Sequence, residues 1–343
     1  MTISAGILGA TGYTGAELIR LLYAHPEVKI AYCSSRQHNG RKVSDILEFL
    51  KGTYEAVLEE FDAESITTRC DAVFSCLPHG ASMGYISRIV PGVRVIDLSA
   101  DFRIKDPATY SLWYAEHGYH DLLDSAVYGL SEVYREQIKS AQLVANPGCY
   151  PTSVLLPLVP LLESNLIDPY GIIVDSKSGV SGAGRGLSLK THICEVGESF
   201  SAYKVGRAHR HIPEMEQELT RAAKKSITMD FIPHLLPITR GMLSTIYLRT
   251  TRSEKELREC LKRYYETSPF VNILSDSFPS TKDVRGTNRC IIALAKVEPT
   301  DRVVIVSVID NLTKGASGQA VQNMNIMFGF DENAGLDSIP LFP

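Results

Sequence analysis

A glycine-rich turn close to the start of the chain constrains the fold more than any other feature. An apolar run at residues 3–8 leads into the turn, a helical pattern up to about residue 24 follows it, and the turn itself reads Gly9-Ala10-Thr11-Gly12-Tyr13-Thr14-Gly15. Glycines permit a tight turn and let a ligand approach the backbone, and the free amides at a helix start attract phosphate. The turn therefore predicts a dinucleotide site in which residues 9–15 contact the pyrophosphate.

Short apolar segments keep alternating with helical stretches up to about residue 147. Further strands are predicted at residues 29–33, 71–76, 93–98 and 142–145. This alternation is typical of βαβ units around a parallel sheet. We therefore expect residues 1–147 to form a Rossmann-type, doubly wound α/β domain.

Beyond this point the pattern changes to longer strands among fewer helices. Helices are predicted at residues 153–163 and 213–225, and strands at 171–177, 244–249, 290–297 and 303–309. We expect a second, α+β domain over residues 148–315. A last helical pattern at about 318–328 leads us to expect that residues 316–343 return to the first domain.

The end of the second strand indicates which dinucleotide is bound. Folds that prefer NAD usually carry a carboxylate there for the ribose 2′-hydroxyl. Here the stretch carries Ser34, Ser35 and Arg36 instead. Two hydroxyls and a guanidinium group suit a 2′-phosphate, so we expect NADP(H) as the cofactor.

Composition excludes several classes of protein. The 343 residues are 44% hydrophobic and 22% charged, with a net charge of −4, which gives no general affinity for nucleic acid. No apolar run approaches the roughly 20 residues of a membrane span, and no leader pattern is seen. Seven cysteines without CxxC spacing argue against a disulfide framework and a zinc site. We expect a cytoplasmic enzyme without a resident metal.

One of the seven cysteines has the surroundings of a nucleophile. Cys149 follows the turn signal Pro147-Gly148 and precedes the long apolar helical segment. A thiolate at a helix start is stabilised, and amides of the same turn could hold a tetrahedral oxyanion. The other six cysteines lie in apolar or strand-like stretches, and we expect them to be structural.

Two histidines and a carboxylate cluster before the helix at 213–225. His209, His211 and Glu214 surround Arg210 in this segment. A general base beside the nucleophile is what thiol acylation requires, and either histidine could supply it. If residues 207–211 are extended, both rings would point to one side. A metal site built from this cluster is disfavoured because a third ligand with suitable spacing is lacking.

A second glycine-dense loop follows the strand predicted at 171–177. It spans residues 178–186 and includes Ser181, Gly182 and Arg185. Small residues let a backbone lie close to a flat ligand, so we expect Ser181 and Gly182 to contact the nicotinamide or the substrate.

Taken together, these segments resemble the N-acetyl-γ-glutamyl-phosphate reductase family. The matching motifs run nearly from end to end and are Gly9–Gly15, Asp97–Arg103, Asn146–Thr152, Lys177–Arg185, His209–Glu214, His234–Gly241, Gly286–Asn288 and Asp310–Ala320. Several ordered motifs are far more specific than any single one. One departure is Ser317, where the family often has alanine, and no chemistry depends on it.

The resemblance implies NADPH-dependent reduction of N-acetyl-γ-glutamyl phosphate to the 5-semialdehyde through a thioester on Cys149. It implies a base from His209 or His211, a cofactor contact from Asn311 and a homodimer or homotetramer built by the second domain. The polyanionic substrate requires local cations and polar groups, for which the candidates are Arg103, Arg185, Glu214 and Arg240, with Arg210 and Arg289 as further arginines.

Two alternatives remain at this stage. The same chemistry could act on a carrier-linked glutamyl or aminoadipyl phosphate, or on aspartyl phosphate. A nucleotide-sensing regulator without catalysis is disfavoured because Cys149 and both histidines are intact.

Overall fold

Each half of the chain builds its own sheet in the structure, a computed structural model that describes residues 2–341. The first unit comprises residues 2–147 and Ala316–Asp337, and the second comprises Gly148–Gly315 and residues 338–341. Each unit contains a complete sheet with its own buried residues.

The first unit is organised around a six-stranded sheet in the order β2-β1-β3-β4-β6-β5, in which every pairing is parallel. In chain order its elements are β1 (Ile3–Leu8), α1 (Tyr13–Tyr23), β2 (Val28–Ser34), α2 (Ala63–Arg69), β3 (Ala72–Ser75), α3 (Ser82–Ile86), β4 (Arg94–Asp97), α4 (Pro107–Trp113), α5 (His120–Ser125), β5 (Val127–Tyr128), α6 (Arg135–Lys139) and β6 (Leu143–Ala145). The doubly wound α/β class is confirmed.

The strand order explains where the glycine turn lies. β1 pairs with β2 on one side and with β3 on the other, so the turn that follows Leu8 emerges from an interior strand. Ligands of open parallel sheets bind at the carboxyl ends of such strands. The first unit therefore presents its glycine turn at the edge of the sheet where a nucleotide is expected.

The second unit is organised around a seven-stranded mixed sheet in the order β11-β12-β13-β10-β7-β9-β8. Its elements are α7 (Cys149–Glu163), β7 (Ile173–Gly179), α8 (Ile193–Val196), β8 (Ser201–Ala202), α9 (Ile212–Ala223), β9 (Asp230–Leu236), β10 (Met242–Arg249), α10 (Glu254–Tyr264), β11 (Val271–Ile273), β12 (Cys290–Val297) and β13 (Arg302–Ile309). The predicted α+β class is confirmed, although β8, β9, β11, α8 and α10 were not predicted.

Helix α7 forms the buried centre of the second unit. Every residue from Tyr150 to Leu162 is buried, which matches its apolar sequence. Pro160 has no N–H, so it cannot bond the carbonyl of Leu156 one turn earlier. The Tyr265 hydroxyl donates to that carbonyl at 2.5 Å. A side chain from outside the helix thus replaces the missing backbone bond.

The last helix, α11 (Gly318–Phe328), belongs to the first unit although it follows the whole second unit in the chain. A π-helical turn at Thr313–Ser317 leads into it. Its residues from Gly318 to Met327 are buried, and they include four side-chain amides, namely Gln319, Gln322, Asn323 and Asn325. Between residues 2 and 341, no helix has the length and apolar character that crossing a membrane requires.

Candidate active site

The glycine turn has the geometry that a close-approaching ligand requires. Gly9 has a φ of +78°, a conformation that favours glycine, and its amide donates to the Ser34 carbonyl at 3.1 Å. A Cβ on Gly15 would lie 2.5 Å from the Gly9 carbonyl oxygen, so only glycine fits there. Gly12 stands at the start of α1, where it has no side chain to occupy the first amides. These features suit a pyrophosphate.

The predicted 2′-phosphate group of residues lies beside this turn. Ser35 Oγ is 3.4 Å from Thr11 Oγ1, which joins the end of β2 to the glycine turn. Ser34 and Ser35 are buried, whereas Arg36 is exposed. A cation free to move and two anchored hydroxyls form a suitable set for a phosphate monoester.

Cys149 is the first residue of α7, with Gly148 as the capping residue before it. The thiol is partly exposed, whereas its neighbours on both sides are buried. Because the helix starts here, its positive dipole end favours a thiolate over a thiol. Cys149 therefore lies at a helix start, as expected, whereas its role as the nucleophile stays a prediction.

The backbone on both sides of Cys149 is closely packed within the second unit. A Cβ on Gly148 would lie 2.5 Å from Nε2 of His211, so the imidazole rests directly on this glycine. A Cβ on Gly315 would lie 2.7 Å from the Cβ of Cys149. Two glycines therefore let the His211 ring and the π-helical turn approach the nucleophile.

Glu214 holds the same segment from helix α9. Its Oε1 accepts a hydrogen bond from the Gly148 amide at 2.9 Å, and the residue is only 1% exposed. A charged acceptor on a buried amide is a strong anchor. Binding of substrate by Glu214 stays a prediction, because the contact observed is with the backbone.

His209 has a different environment from His211. Its ring makes edge contacts with Tyr150, Tyr203 and Phe231, and its Nδ1 accepts the backbone N–H of His211 at 3.2 Å. Burial, assisted by the charges of Lys204 and Arg210, lowers the pKa of His209 to about 3. His209 is therefore neutral near neutral pH.

The local backbone differs from the expectation of an extended segment. Residues 207–211 form turns, with a φ of +66° at Arg207 and helical angles at His211. The two imidazoles still lie together, with ring centroids 5.0 Å apart. A turn followed by a helix start, and not strand geometry, produces this proximity.

The second glycine loop gathers several predicted residues in the second unit. Asn311 donates from Nδ2 to Ser181 Oγ at 2.9 Å and accepts the Gly241 amide at 2.9 Å. A Cβ on Gly182 would be 3.2 Å from Ser178 Oγ, so the loop is closely packed there. Contacts of Ser181, Gly182 and Asn311 with the cofactor stay predictions.

The predicted arginines occupy unlike positions. Arg103 is buried and donates to the carbonyls of Asn146 at 2.7 Å and Leu98 at 2.8 Å. Arg240 lies 3.7 Å from the buried carboxylate of Asp310, whereas Arg185 and Arg210 are exposed and Arg289 is partly exposed. Arg103 thus has a structural contact, and substrate binding by these arginines stays a prediction.

The remaining cysteines are buried or partly buried with one exception. Burial raises the pKa of Cys33 to about 11 and those of Cys70 and Cys76 to about 12. Cys194, however, is exposed on the short helix α8. The expectation of a buried structural role for Cys194 was wrong, because its apolar neighbours in sequence are themselves exposed. Among residues 2–341 no group of three metal-ligating side chains is close enough to hold an ion.

Sequence reasoning missed several residues that pack around His209 and Cys149. Tyr150 and Tyr203 surround His209, and Gly315 lies against Cys149. The signal for Gly315 was present in the glycine of the last motif, but nothing in the sequence places it beside residue 149. The sequence also gives no sign of which glycine faces a ring.

Comparisons with known proteins agree with this arrangement in both units. The family described as semialdehyde dehydrogenase, NAD binding domain, matches residues 4–141, and the semialdehyde dehydrogenase dimerisation domain matches residues 149–311. Among solved structures, aspartate semialdehyde dehydrogenase with NADP from Candida albicans has a TM-score of 0.71 at 18% identity and covers 97% of this chain and 100% of its own. A Vibrio cholerae aspartate semialdehyde dehydrogenase II also has a TM-score of 0.71, at 17% identity, over 96% of this chain and 99% of its own. These structures share the fold.

Curated relatives are much more similar in sequence. An N-acetyl-γ-glutamyl-phosphate reductase of Geobacter metallireducens is 52% identical over 99% of this chain and 100% of its own length. One from Desulforapulum autotrophicum is 50% identical over 98% of this chain and 99% of its own. With this identity over the full length of both, the chain belongs to the N-acetyl-γ-glutamyl-phosphate reductase family.

Proposed function

We propose that this protein is an NADP-dependent phosphorylating semialdehyde dehydrogenase that reduces N-acetyl-γ-glutamyl phosphate to N-acetylglutamate 5-semialdehyde and phosphate, a step of arginine biosynthesis. The observation that carries the proposal is Cys149 at the start of α7, with the His211 ring against the preceding glycine. The names of relatives about 50% identical over the full length support the choice of acyl group.

The first unit is proposed as the NADP-binding domain. Residues 9–15 would hold the pyrophosphate, and Ser34, Ser35 and Arg36 the 2′-phosphate. The fit rests on the left-handed Gly9, on the clash that a Cβ at Gly15 would cause and on the absence of a carboxylate among these three residues. NADPH, when bound, supplies the hydride that reduces the acyl group. Ser181, Gly182 and Asn311 are proposed as further cofactor contacts.

His211 is proposed as the general base and His209 as its support. The ring of His211 lies against Gly148, one residue from the nucleophile, whereas Nδ1 of His209 already accepts the His211 amide. With its pKa lowered to about 3 by burial, His209 is a weak base. Glu214 is proposed as a positioning residue, because it holds the amide of Gly148.

The reaction then proceeds in balanced steps on Cys149. His211 takes the thiol proton, and the thiolate attacks the acyl carbon. Phosphate leaves with the electrons of the broken carbon–oxygen bond and takes the proton held by His211, which gives a thioester. After hydride addition, the hemithioacetal on Cys149 collapses, expels the thiolate and releases the aldehyde. Amides at the start of α7 stabilise the oxyanion.

The test replaces Cys149 by serine and measures phosphate-dependent NADP⁺ reduction with the semialdehyde. We expect activity to fall by about 10⁴-fold or more, because a neutral serine hydroxyl is a much poorer nucleophile than a thiolate. Cys194→Ser, which removes the exposed thiol, is the control and should keep full activity. Wild-type activity in Cys149→Ser would disprove the covalent mechanism. A free acyl phosphate and a carrier-linked one, assayed side by side, decide the form of the substrate.

The two histidines are separated by single asparagine variants in the same assay. We expect His211→Asn to lose about 10²- to 10⁴-fold in kcat, as for a general base, and His209→Asn to lose less than tenfold. The reverse order would assign the base to His209. Arg185 and Arg240 are proposed to bind the anionic substrate, so their alanine variants should raise KM for the acyl phosphate more than they lower kcat.

The second unit is also proposed to form a homodimer or homotetramer. Its match to a dimerisation domain supports this, and so do five large apolar side chains that are exposed on one segment, namely Leu187, Leu189, Ile193, Phe200 and Val205. Contiguous exposed apolar residues of this kind usually mark an interface. Light scattering should give a multiple of 37.8 kDa, and Leu187→Ser with Ile193→Ser should lower that mass. A monomeric wild-type protein would contradict the proposal.

A further inference from the structure

Helix α11 has asparagines at buried positions. An amphipathic helix that packs against a core would usually have leucine at such positions. Asn323 and Asn325 are both fully buried in it. A buried amide is costly unless its donors and acceptors are bonded, so each must have a specific set of partners. The partners of Asn323 differ from those of Asn325, and those of Asn323 bear on the position of the proposed nucleophile.

Asn323 is bonded on both sides of its amide. Its Nδ2 donates to the Gly129 carbonyl at 2.8 Å and to Asn146 Oδ1 at 3.1 Å, and its Oδ1 accepts from Ser131 Oγ at 2.7 Å. A carbonyl can only accept, so the Gly129 contact settles which end of the amide is nitrogen. The donor toward Asn146 is thereby assigned.

Asn146 is held at every polar group. Its Nδ2 donates to the Ala316 carbonyl at 3.1 Å, its backbone N–H donates to Asp97 O at 2.8 Å, and its own carbonyl accepts from Arg103 Nε at 2.7 Å. The Ala316 carbonyl again fixes the amide orientation, so Oδ1 of Asn146 faces Asn323. Asn146 lies three residues before Cys149 in the chain.

Gly129 leaves the space that Asn323 fills. A Cβ on Gly129 would lie 2.6 Å from Asn323 Nδ2 and 2.6 Å from a methyl group of Val144. Its φ is not positive, so only the lack of a side chain matters at this position. The contact between Asn323 and Gly129 therefore also requires that residue 129 have no side chain, so that the helix can approach closely.

We propose that Asn323 is a positioning residue for the nucleophile, acting through the side chain of Asn146. The chain runs from Asn146 through Pro147, which has no N–H and a nearly fixed φ, to Gly148 and Cys149. A displacement of Asn146 is therefore passed along a link of only two residues to the start of α7. Displacements of about 1 Å at a reacting group can cost on the order of 10²-fold in rate. This inference rests on the proposed role of Cys149.

The experiment compares Asn323→Ala with Asn325→Ala. Asn325 is equally buried on the same helix, but it bonds His25 Nε2 at 3.0 Å and the Ala334 carbonyl at 2.9 Å, away from residue 146. We expect both variants to lower Tm by similar amounts. Only Asn323→Ala should lower kcat, by about 10- to 100-fold, with KM changed less than threefold.

A second measurement does not depend on the reductase reaction. Iodoacetamide labelling of the full chain, followed by mass spectrometry of the Cys149 peptide, gives the pH at which alkylation is half-maximal, with exposed Cys194 as the internal reference. We expect this pH to rise in Asn323→Ala by on the order of one unit and to stay at the wild-type value in Asn325→Ala. If the wild type labels normally yet reduces no acyl phosphate, the proposed function fails while the positioning role remains testable.

Gly129→Ala gives the same test without removing the amide. Its new methyl group should push Asn323 away and reproduce the kcat loss, and Ser131→Ala should give a smaller loss in the same direction. Wild-type kcat and wild-type labelling in Asn323→Ala would overturn the proposal. Equal losses in Asn323→Ala and Asn325→Ala would overturn it as well, because a merely structural role predicts them.

Discussion

The glycine turn of the first unit and the cysteine site of the second differ in what shapes them. In the turn, the critical contacts are between backbone atoms, such as the Gly9 amide with the Ser34 carbonyl. Around Cys149 they involve side chains from distant parts of the sequence, such as His211 against Gly148. A site made of backbone is visible as a local motif, whereas a site made of side chains is visible only once the chain has folded.

Among changes that separate the two regions, the largest effect should come from adding one methyl group at the cysteine site. Gly148 has ordinary extended angles, so Gly148→Ala causes no backbone strain, but its Cβ would lie 2.5 Å from His211 Nε2. We expect kcat to fall by about 10²- to 10³-fold while the dissociation constant of NADPH, measured by fluorescence titration, is unchanged. Gly118→Ala, where a Cβ meets nothing within 4 Å, is the matched control. If the kcat of Gly148→Ala were within fivefold of that of the wild type, His211 would not belong to the active site.

Adding one methyl group in the glycine turn should instead weaken cofactor binding and leave the cysteine site unchanged. In Gly15→Ala the Cβ would lie 2.5 Å from the Gly9 carbonyl oxygen and 2.7 Å from Ala10 Cα, so the turn must shift. We expect NADPH binding to weaken by about 10- to 100-fold and Tm to fall, with iodoacetamide labelling of Cys149 unchanged. Gly12→Ala, whose Cβ would be 3.6 Å from the same oxygen, should keep Tm and still weaken NADPH binding. Unchanged binding in both variants would refute the pyrophosphate site.

The two units can also be compared by the effect of pH on stability, because each contains a buried titratable group. The pKa of His209 is lowered by burial from 6.5 to about 3, so between these values the unfolded chain binds a proton that the folded protein does not. The contribution of His209 to the free energy of unfolding is fully present above pH 6.5. It is lost as the pH falls, at up to about 1.4 kcal/mol per pH unit. When urea unfolding is measured at pH 7, 5.5 and 4.5, the free energy of unfolding should fall less steeply with decreasing pH in His209→Asn than in the wild type. An equal slope in the two proteins would show that the imidazole is not buried in solution.

Asp97 in the first unit should give the smallest effect, with the opposite sign. Burial raises its pKa from 3.8 to about 6, although Ser99 and Ser82 donate hydrogen bonds to it. The folded protein therefore holds a proton that the unfolded chain releases, and this contribution decreases as the pH rises from 3.8 to 6, by about 3 kcal/mol at most. The difference in unfolding free energy between wild type and Asp97→Asn should change across that interval and level off above it. A difference that does not change with pH would mean that the carboxyl is solvated, and one that increases would mean that the folded protein stabilises the carboxylate.

Sequence patterns predicted the fold and the position of the thiol because both depend on local order. Helix 318–328 and strand 290–297 were predicted at the bounds observed. Strand β9 was missed because it contains Pro233 and His234, which interrupt the pattern. Contacts between distant residues could not be predicted: Asn323 and Asn146 are 177 residues apart, and no local rule pairs them. The choice between His209 and His211 likewise depends on which ring is enclosed by aromatic side chains from elsewhere in the chain.

The divided first unit has a consequence for the order in which the chain is made. Residues 148–315 are complete before α11 has been synthesised, whereas the first unit still lacks that helix. Gly129, Ser131 and Asn146 therefore lack their partner Asn323 until residues 148–315 have been synthesised. A nascent chain would already contain its cysteine and histidines but not the amide proposed to align them. On this account the thiol becomes fully reactive only after α11 has been made, so shorter nascent chains carry a less reactive thiol.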